Sequence, residues 1–186
     1  MARSSTKKWP NRLNRLNNGR GAAPMGGALF QNHTSLPNMS LISSLLPLSN
    51  VVLDLDASSK QRVFEEAGKL FEVNQNLSRE TVVASLAARE KLGSTGLGQG
   101  IAIPHGRIKG LRAAVGAFLR LKTAIPFDAP DGKPVNLLLV LLVPEHATDL
   151  HLQILGELAQ MFSDRFFRER LLSTQDVAQL HQLITG

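Results

Sequence analysis

The stretch VNLLLVLLV, residues 135–143, is apolar at every position but Asn136. It is too short to cross a bilayer. It also lacks the polar alternate positions of a strand with one wet face, so it predicts a central β-strand covered on both sides. Residues 51–55, 100–103 and 114–121 read as further strands. Between them, Ser58 or Ser59 offers an N-cap for a helix that carries Val63, Phe64, Ala67, Leu70 and Phe71 on one face. Ser78 caps a second helix with a stripe of Val82, Val83 and Leu86, and Gly93 ends it. Downstream, Leu150, Ile154, Leu155, Leu158, Met161 and Phe162 recur at helical spacing, and residues 166–172 and 177–184 make two shorter helices. The expected fold is α/β: a single domain with a mixed β-sheet flanked by helices on both faces.

Composition narrows the function classes. A chain of 186 residues, 43% hydrophobic and 19% charged, suits one globular domain. With no cysteine there is no disulfide framework, thiolate metal site or cysteine nucleophile, in keeping with a cytoplasmic setting. The net charge of +6 invites a nucleic-acid reading, but its location speaks against one for the folded part. Arg3, Lys7, Lys8, Arg12, Arg15 and Arg20 lie within residues 1–38, which hold no acid, leaving 15 bases against 15 acids in the rest. Residues 1–38 mix Arg, Asn, Gly, Pro and Ser without an apolar period, and are expected to form a basic, disordered extension. An upstream start chosen ahead of Met25 or Met39, a flexible tail and a nucleic-acid arm are the three readings of that segment. Its basic stretch is too long, and lacks the small-residue cleavage site, for a secretory signal. No transmembrane helix, and no membrane or nucleic-acid partner for the folded domain, is expected.

Chemistry concentrates in REKLGSTGLGQGIAIPHGR, residues 89–107. Gly93, Gly96, Gly98 and Gly100 punctuate a loop whose backbone can approach a ligand, but the Gly-Lys-Ser/Thr ending of a P-loop is missing. Pro104 lacks a donor and pushes Ile103 into an extended conformation, which predicts a strand that ends there and delivers His105 at its edge, with Gly106 leaving the space before the imidazole clear. By type and spacing alone His105 reads as an ordinary loop histidine or as a nucleophile. Arg89, on the last turn of the second helix, reads as a solvated arginine or an anion ligand. His151, in the first turn after Thr148 and Asp149, reads as a half-buried helix histidine or a group beside an anion at the helix N-terminus. Ser94 and Thr95 either cap the loop or bond an anion. His33, His146 and His181 lie outside the motif. His105 and His151 find no third ligand at usable spacing, so no metal and no other cofactor is expected.

That segment, with PFDAPDGKPVNLLLVLLVPEHATDLHLQIL at residues 126–155, resembles the type-2 IIA domain of the bacterial phosphoenolpyruvate-dependent phosphotransferase system (PTS), its nitrogen-regulatory branch in particular. The resemblance runs from about Leu45 to the C-terminus and assigns residues 39–186 to that domain. It implies a phosphocarrier with a covalent histidine intermediate rather than a stand-alone enzyme. His105 would accept a phosphoryl group from an HPr-like protein (NPr type), with Arg89, His151, Gly106, Ser94 and Thr95 stabilising the group and Arg107 docking the partner. Nitrogen, carbon or potassium-related target proteins would respond to the phosphorylation state. The alternatives within and beyond the family are a fructose- or mannitol-type IIA that forwards phosphate to a IIB domain, and a binding module that carries no phosphate. The chain shows no IIB or IIC segment, which favours the regulator.

Overall fold

A computed structural model describes residues 39–147 and 149–186. The expectations for residues 1–38 and for Thr148 as a cap lie outside the described residues. The apolar run forms β6 (Val135–Pro144), and its place in the sheet explains its composition. Antiparallel β5 (Val115–Ile125) flanks it on one side and carries parallel β1 (Val51–Leu55) at the far edge. On the other side β6 pairs in parallel with β3 (Ile101–Ala102) and β4 (His105–Ile108), and β3 is edged by antiparallel β2 (Gly96–Gly98). The result is a six-stranded mixed sheet.

Alternate residues of β6 serve two cores. Leu138, Val140 and Leu142 pack with Val63, Phe64, Ala67 and Phe71 of α2 (Lys60–Gln75) and with Val82 and Leu86 of α3 (Arg79–Lys91). Leu137, Leu139, Leu141 and Val143 pack with Ile42 of α1 (Met39–Leu45), with Ile154, Leu158 and Phe162 of α4 (Asp149–Ser163), and with Leu171 of α5 (Arg165–Ser173) and Leu180 and Ile184 of α6 (Val177–Thr185). With both faces dry, neither set of positions can be polar. The helices start where side chains can satisfy the free N–H groups of the first turn. Ser59 Oγ accepts from the Arg62 N–H, Ser78 Oγ from the Thr81 N–H, and Asp176 Oδ1 from the Gln179 N–H. Asn76, left-handed at φ 55°, ends α2.

Three expectations change. The strand does not end at Pro104. Ile101 and Ala102 face Leu137 and Leu138, and His105 to Ile108 face Leu141 to Pro144 in the same register, so β3 and β4 are one interrupted path along β6. Pro104 gives its carbonyl to the Leu141 N–H at 2.9 Å but has no N–H to return, so the ladder breaks for one step and resumes. Leu150 and Leu152 are exposed, and His151 takes the buried position ahead of Ile154, Leu158 and Phe162. The strand expected over 114–121 reaches Ile125, and Arg120, within it, is buried. Its guanidinium reaches the carbonyls of Leu171 (3.0 Å), Leu172 (3.2 Å) and Thr174 at the end of α5, Asp54 Oδ1 (3.2 Å) and Gln175 Oε1 (3.0 Å). A buried charge is tolerable because these acceptors replace its water.

Candidate functional site

Three elements converge beside β6: the start of β4 brings His105, the last turn of α3 brings Arg89, and the first turn of α4 brings His151. His105 is half-buried and both its nitrogens are engaged. Nδ1 lies 2.9 Å from the Ile103 carbonyl, and Arg89 Nε donates to Nε2 at 3.0 Å. A carbonyl cannot donate and a guanidinium cannot accept, so these contacts select one form, the neutral imidazole with its proton on Nδ1 and its lone pair on Nε2. Arg89 is itself held, with Nη1 donating to the Gly93 carbonyl at 2.9 Å.

The His151 ring stands 5.2 Å from that of His105, tilted by 60°. It is buried, and its Nε2 has no hydrogen-bond partner. A buried polar atom left unpaired is costly, and at a site it marks a place for a ligand group. Burial, the largest cause, pushes the pKa of both histidines below the ordinary value. For His105 the Ile103 carbonyl opposes the shift and Arg89 adds to it, while His151 feels His105, Arg107 and Arg89. Two neutral imidazoles beside two guanidiniums make a site where an added anion is favoured and an added proton is not.

The other expected residues support the site without lining it. Ser94 Oγ donates to the Phe127 carbonyl at 2.6 Å, and Thr95 Oγ1 donates to Glu90 Oε2 at 2.6 Å, so both hydroxyl protons are committed away from the imidazole. Gly106 is buried against α3 rather than open before the ring. A Cβ there would stand 2.4 Å from Ser85 Oγ, so the glycine makes room for the helix. Arg107 donates to the carbonyls of Glu145 (2.7 Å) and Ala147 (2.9 Å), pinning the turn that leads into His151. His146 is exposed, and His181 contacts the Leu46 carbonyl at 2.7 Å. His33 lies outside the described residues.

Residues 44–186 match the family described as the phosphoenolpyruvate-dependent sugar phosphotransferase system, EIIA 2. The chain belongs to this family. The nitrogen regulatory protein of Pseudomonas aeruginosa is 40% identical over 147 residues, covering 78% of this chain and 96% of that protein. The crystal structure of nitrogen regulatory protein IIA-Ntr from Neisseria meningitidis matches with a TM-score of 0.74 at 52% identity, over 78% of this chain and 99% of that one. The IIA mannitol structure from Escherichia coli shares the fold alone, with a TM-score of 0.64 at 24% identity over 74% of this chain and 97% of that one. Among the described residues of this EIIA type-2 chain, no helix is long and apolar enough to cross a membrane.

Glu90 is a residue that sequence reasoning misses, although its side chain is nearly buried at the site's edge. Its Oε2 accepts from the N–H and the hydroxyl of Thr95, and its Oε1 pairs with Lys60 Nζ at 2.8 Å. Next to Arg89 in sequence it looks like an ordinary helix-surface pair, and no spacing rule reaches Lys60 or Thr95 from it.

Proposed function

We propose that His105 is a phosphoryl acceptor and that the chain is a nitrogen-regulatory phosphocarrier of the EIIA family, working in the cytoplasm. The observation that carries the reading is the state of His105: an imidazole held neutral, its Nδ1 occupied by the Ile103 carbonyl and its Nε2 lone pair facing Arg89 beside an unpaired His151. An HPr-like partner presents a phosphohistidine. The Nε2 lone pair attacks phosphorus in line, the N–P bond to the donor breaks, and the donor imidazole regains its electron pair. To free the Nε2 lone pair, Arg89 turns its N–H groups from Nε2 to the phosphoryl oxygens as the donor docks, and neutral His151, with its proton on Nε2, donates to one of them. Catalysis here is alignment and charge stabilisation, and no proton has to be taken from the nucleophile.

The partner surface fits that role. Leu92, Leu97, Leu150 and Leu152 are exposed around the ends of α3, β2 and α4, an apolar rim for a phosphocarrier. Phosphorylation replaces a neutral ring by an anionic group on this face, which changes what binds there and supplies the regulatory output.

The test is incubation with the upstream phosphocarriers and labelled phosphoenolpyruvate. Acid-labile, alkali-stable label should appear in the wild-type chain and be absent from His105→Ala. Label in His105→Ala would refute the assignment, and passage of label to a sugar through a cognate permease would move the chain to the sugar-specific branch.

A further inference from the structure

The Nδ1 partner of His105 is a carbonyl in the one part of the strand that the sheet does not hold fully. Pro104 follows Ile103 and has no N–H for the ladder, so the Ile103–Pro104 peptide donates nothing to β6, whose Leu141 N–H bonds only the next carbonyl, that of Pro104. The remaining hold comes from the other side. The Ile103 N–H donates to the Thr95 carbonyl at 3.0 Å. Thr95 is in turn tied to α3, its N–H and its hydroxyl donating to Glu90 Oε2 at 3.0 and 2.6 Å. Glu90 Oε1 accepts from Lys60 Nζ at 2.8 Å, and Lys60 also pairs with Asp128 and stands 4.7 Å over the Phe127 ring. Glu90, Thr95 and Ile103 are all nearly inaccessible, so each bond is made in a low-dielectric setting where charge-assisted bonds are strong.

We infer that Glu90 is a positioning residue for His105: by clamping Thr95 it fixes the Ile103 carbonyl, which selects the Nδ1–H form and leaves the Nε2 lone pair for the phosphoryl group. This rests on the phosphoryl-acceptor reading of His105. The same loop also seats Arg89, whose Nη1 donates to the Gly93 carbonyl two residues before Thr95. Neighbouring residues of α3 thus address both ring nitrogens, Arg89 directly at Nε2 and Glu90 through Thr95 and Ile103 at Nδ1. The two nitrogens of a histidine are distinct, and the bond made by one decides the role of the other.

The measurement is the ¹⁵N spectrum of the His105 ring in the full, unphosphorylated chain, paired with the kinetics of phosphoryl uptake. In the wild type the two ring nitrogens should differ widely, Nδ1 protonated and Nε2 bare. In Glu90→Gln, which keeps the shape and loses the charge, the two signals should move toward each other. Uptake should slow by on the order of tenfold or more in kcat, with KM for the phosphodonor unchanged, as expected when a reacting group is misaligned while partner docking stays intact. Wild-type ring signals in folded Glu90→Gln overturn the inference. Should that variant not fold, Thr95→Val decides: it removes the 2.6 Å hydroxyl bond and keeps the peptide, and an unmoved ring in Thr95→Val overturns the inference equally. The ring spectrum needs no donor, so a chain that takes up no phosphate yet shows the tautomer response refutes the phosphocarrier reading and leaves the positioning role standing.

Discussion

Arg89 and His105, sixteen residues apart, meet through a 3.0 Å bond from Nε to Nε2, while the same guanidinium anchors on the Gly93 carbonyl. The cation is therefore seated by the loop before the strand and aimed at the lone pair that would receive phosphorus. A guanidinium can do both at once because its N–H groups diverge in a fixed plane.

Arg89→Lys should show the value of that fork. A single ammonium cannot reach both Gly93 and Nε2 and grip a phosphoryl group. Label uptake measured in single turnover should fall by about 10²- to 10³-fold, the usual loss when a donor to the transferring group is removed. A rate within a factor of two of wild type would contradict the role.

Acid should weaken the fold through the two histidines. Burial is the main reason that both have folded-state pKa values below the ordinary 6.5. Under about pH 6.5 the unfolded chain binds protons that the folded chain refuses, so their contribution is complete above that pH and is lost as pH falls toward and through the folded values. Urea midpoints between pH 8 and 5 should hold level and then decline, and the decline should be shallower in His151→Asn.

Gly106→Ala should destabilise the fold by about 1–3 kcal/mol, the cost of overpacking, because its Cβ would meet Ser85 Oγ at 2.4 Å and Ser85 Cβ at 3.1 Å. Ser85→Gly in the same chain should recover part of the loss, read as a thermal-melt double-mutant cycle. Additive losses in the cycle would place the strain elsewhere.

Arg120→Ala should be among the most damaging single changes, about 3–5 kcal/mol by chemical denaturation, since it leaves buried carbonyls at the end of α5 without a donor. Arg120→Met should cost less than Arg120→Ala, because it retains the stem that fills the core.

Removal of residues 1–38 should leave label uptake at His105 unchanged. The family match begins at residue 44, and Arg89, His105 and His151, which meet among the described residues, all lie within it, so uptake is expected not to need the basic segment. A truncated chain that fails to take label would overturn this division.

The sequence by itself determined the central strand, the capped helices and the position of His105. A residue's polarity and its period along one chain state which face must be dry, and VNLLLVLLV has no wet face to offer. Ser59 and Ser78 could be recognised as caps because a cap is a bond within a few residues. What the tertiary structure alone decided was who meets whom. The return of the strand after Pro104 depends on β6 lying alongside to resume the ladder, and Gly106 faces Ser85 because of how α3 packs. The same packing commits the Ser94 and Thr95 hydroxyls elsewhere and brings Glu90 to Thr95. Each of these is set by register and by the packing of one element on another, quantities that periodicity within a single element does not encode. His105 could be found in the motif; the groups that fix its tautomer could be found only in the fold.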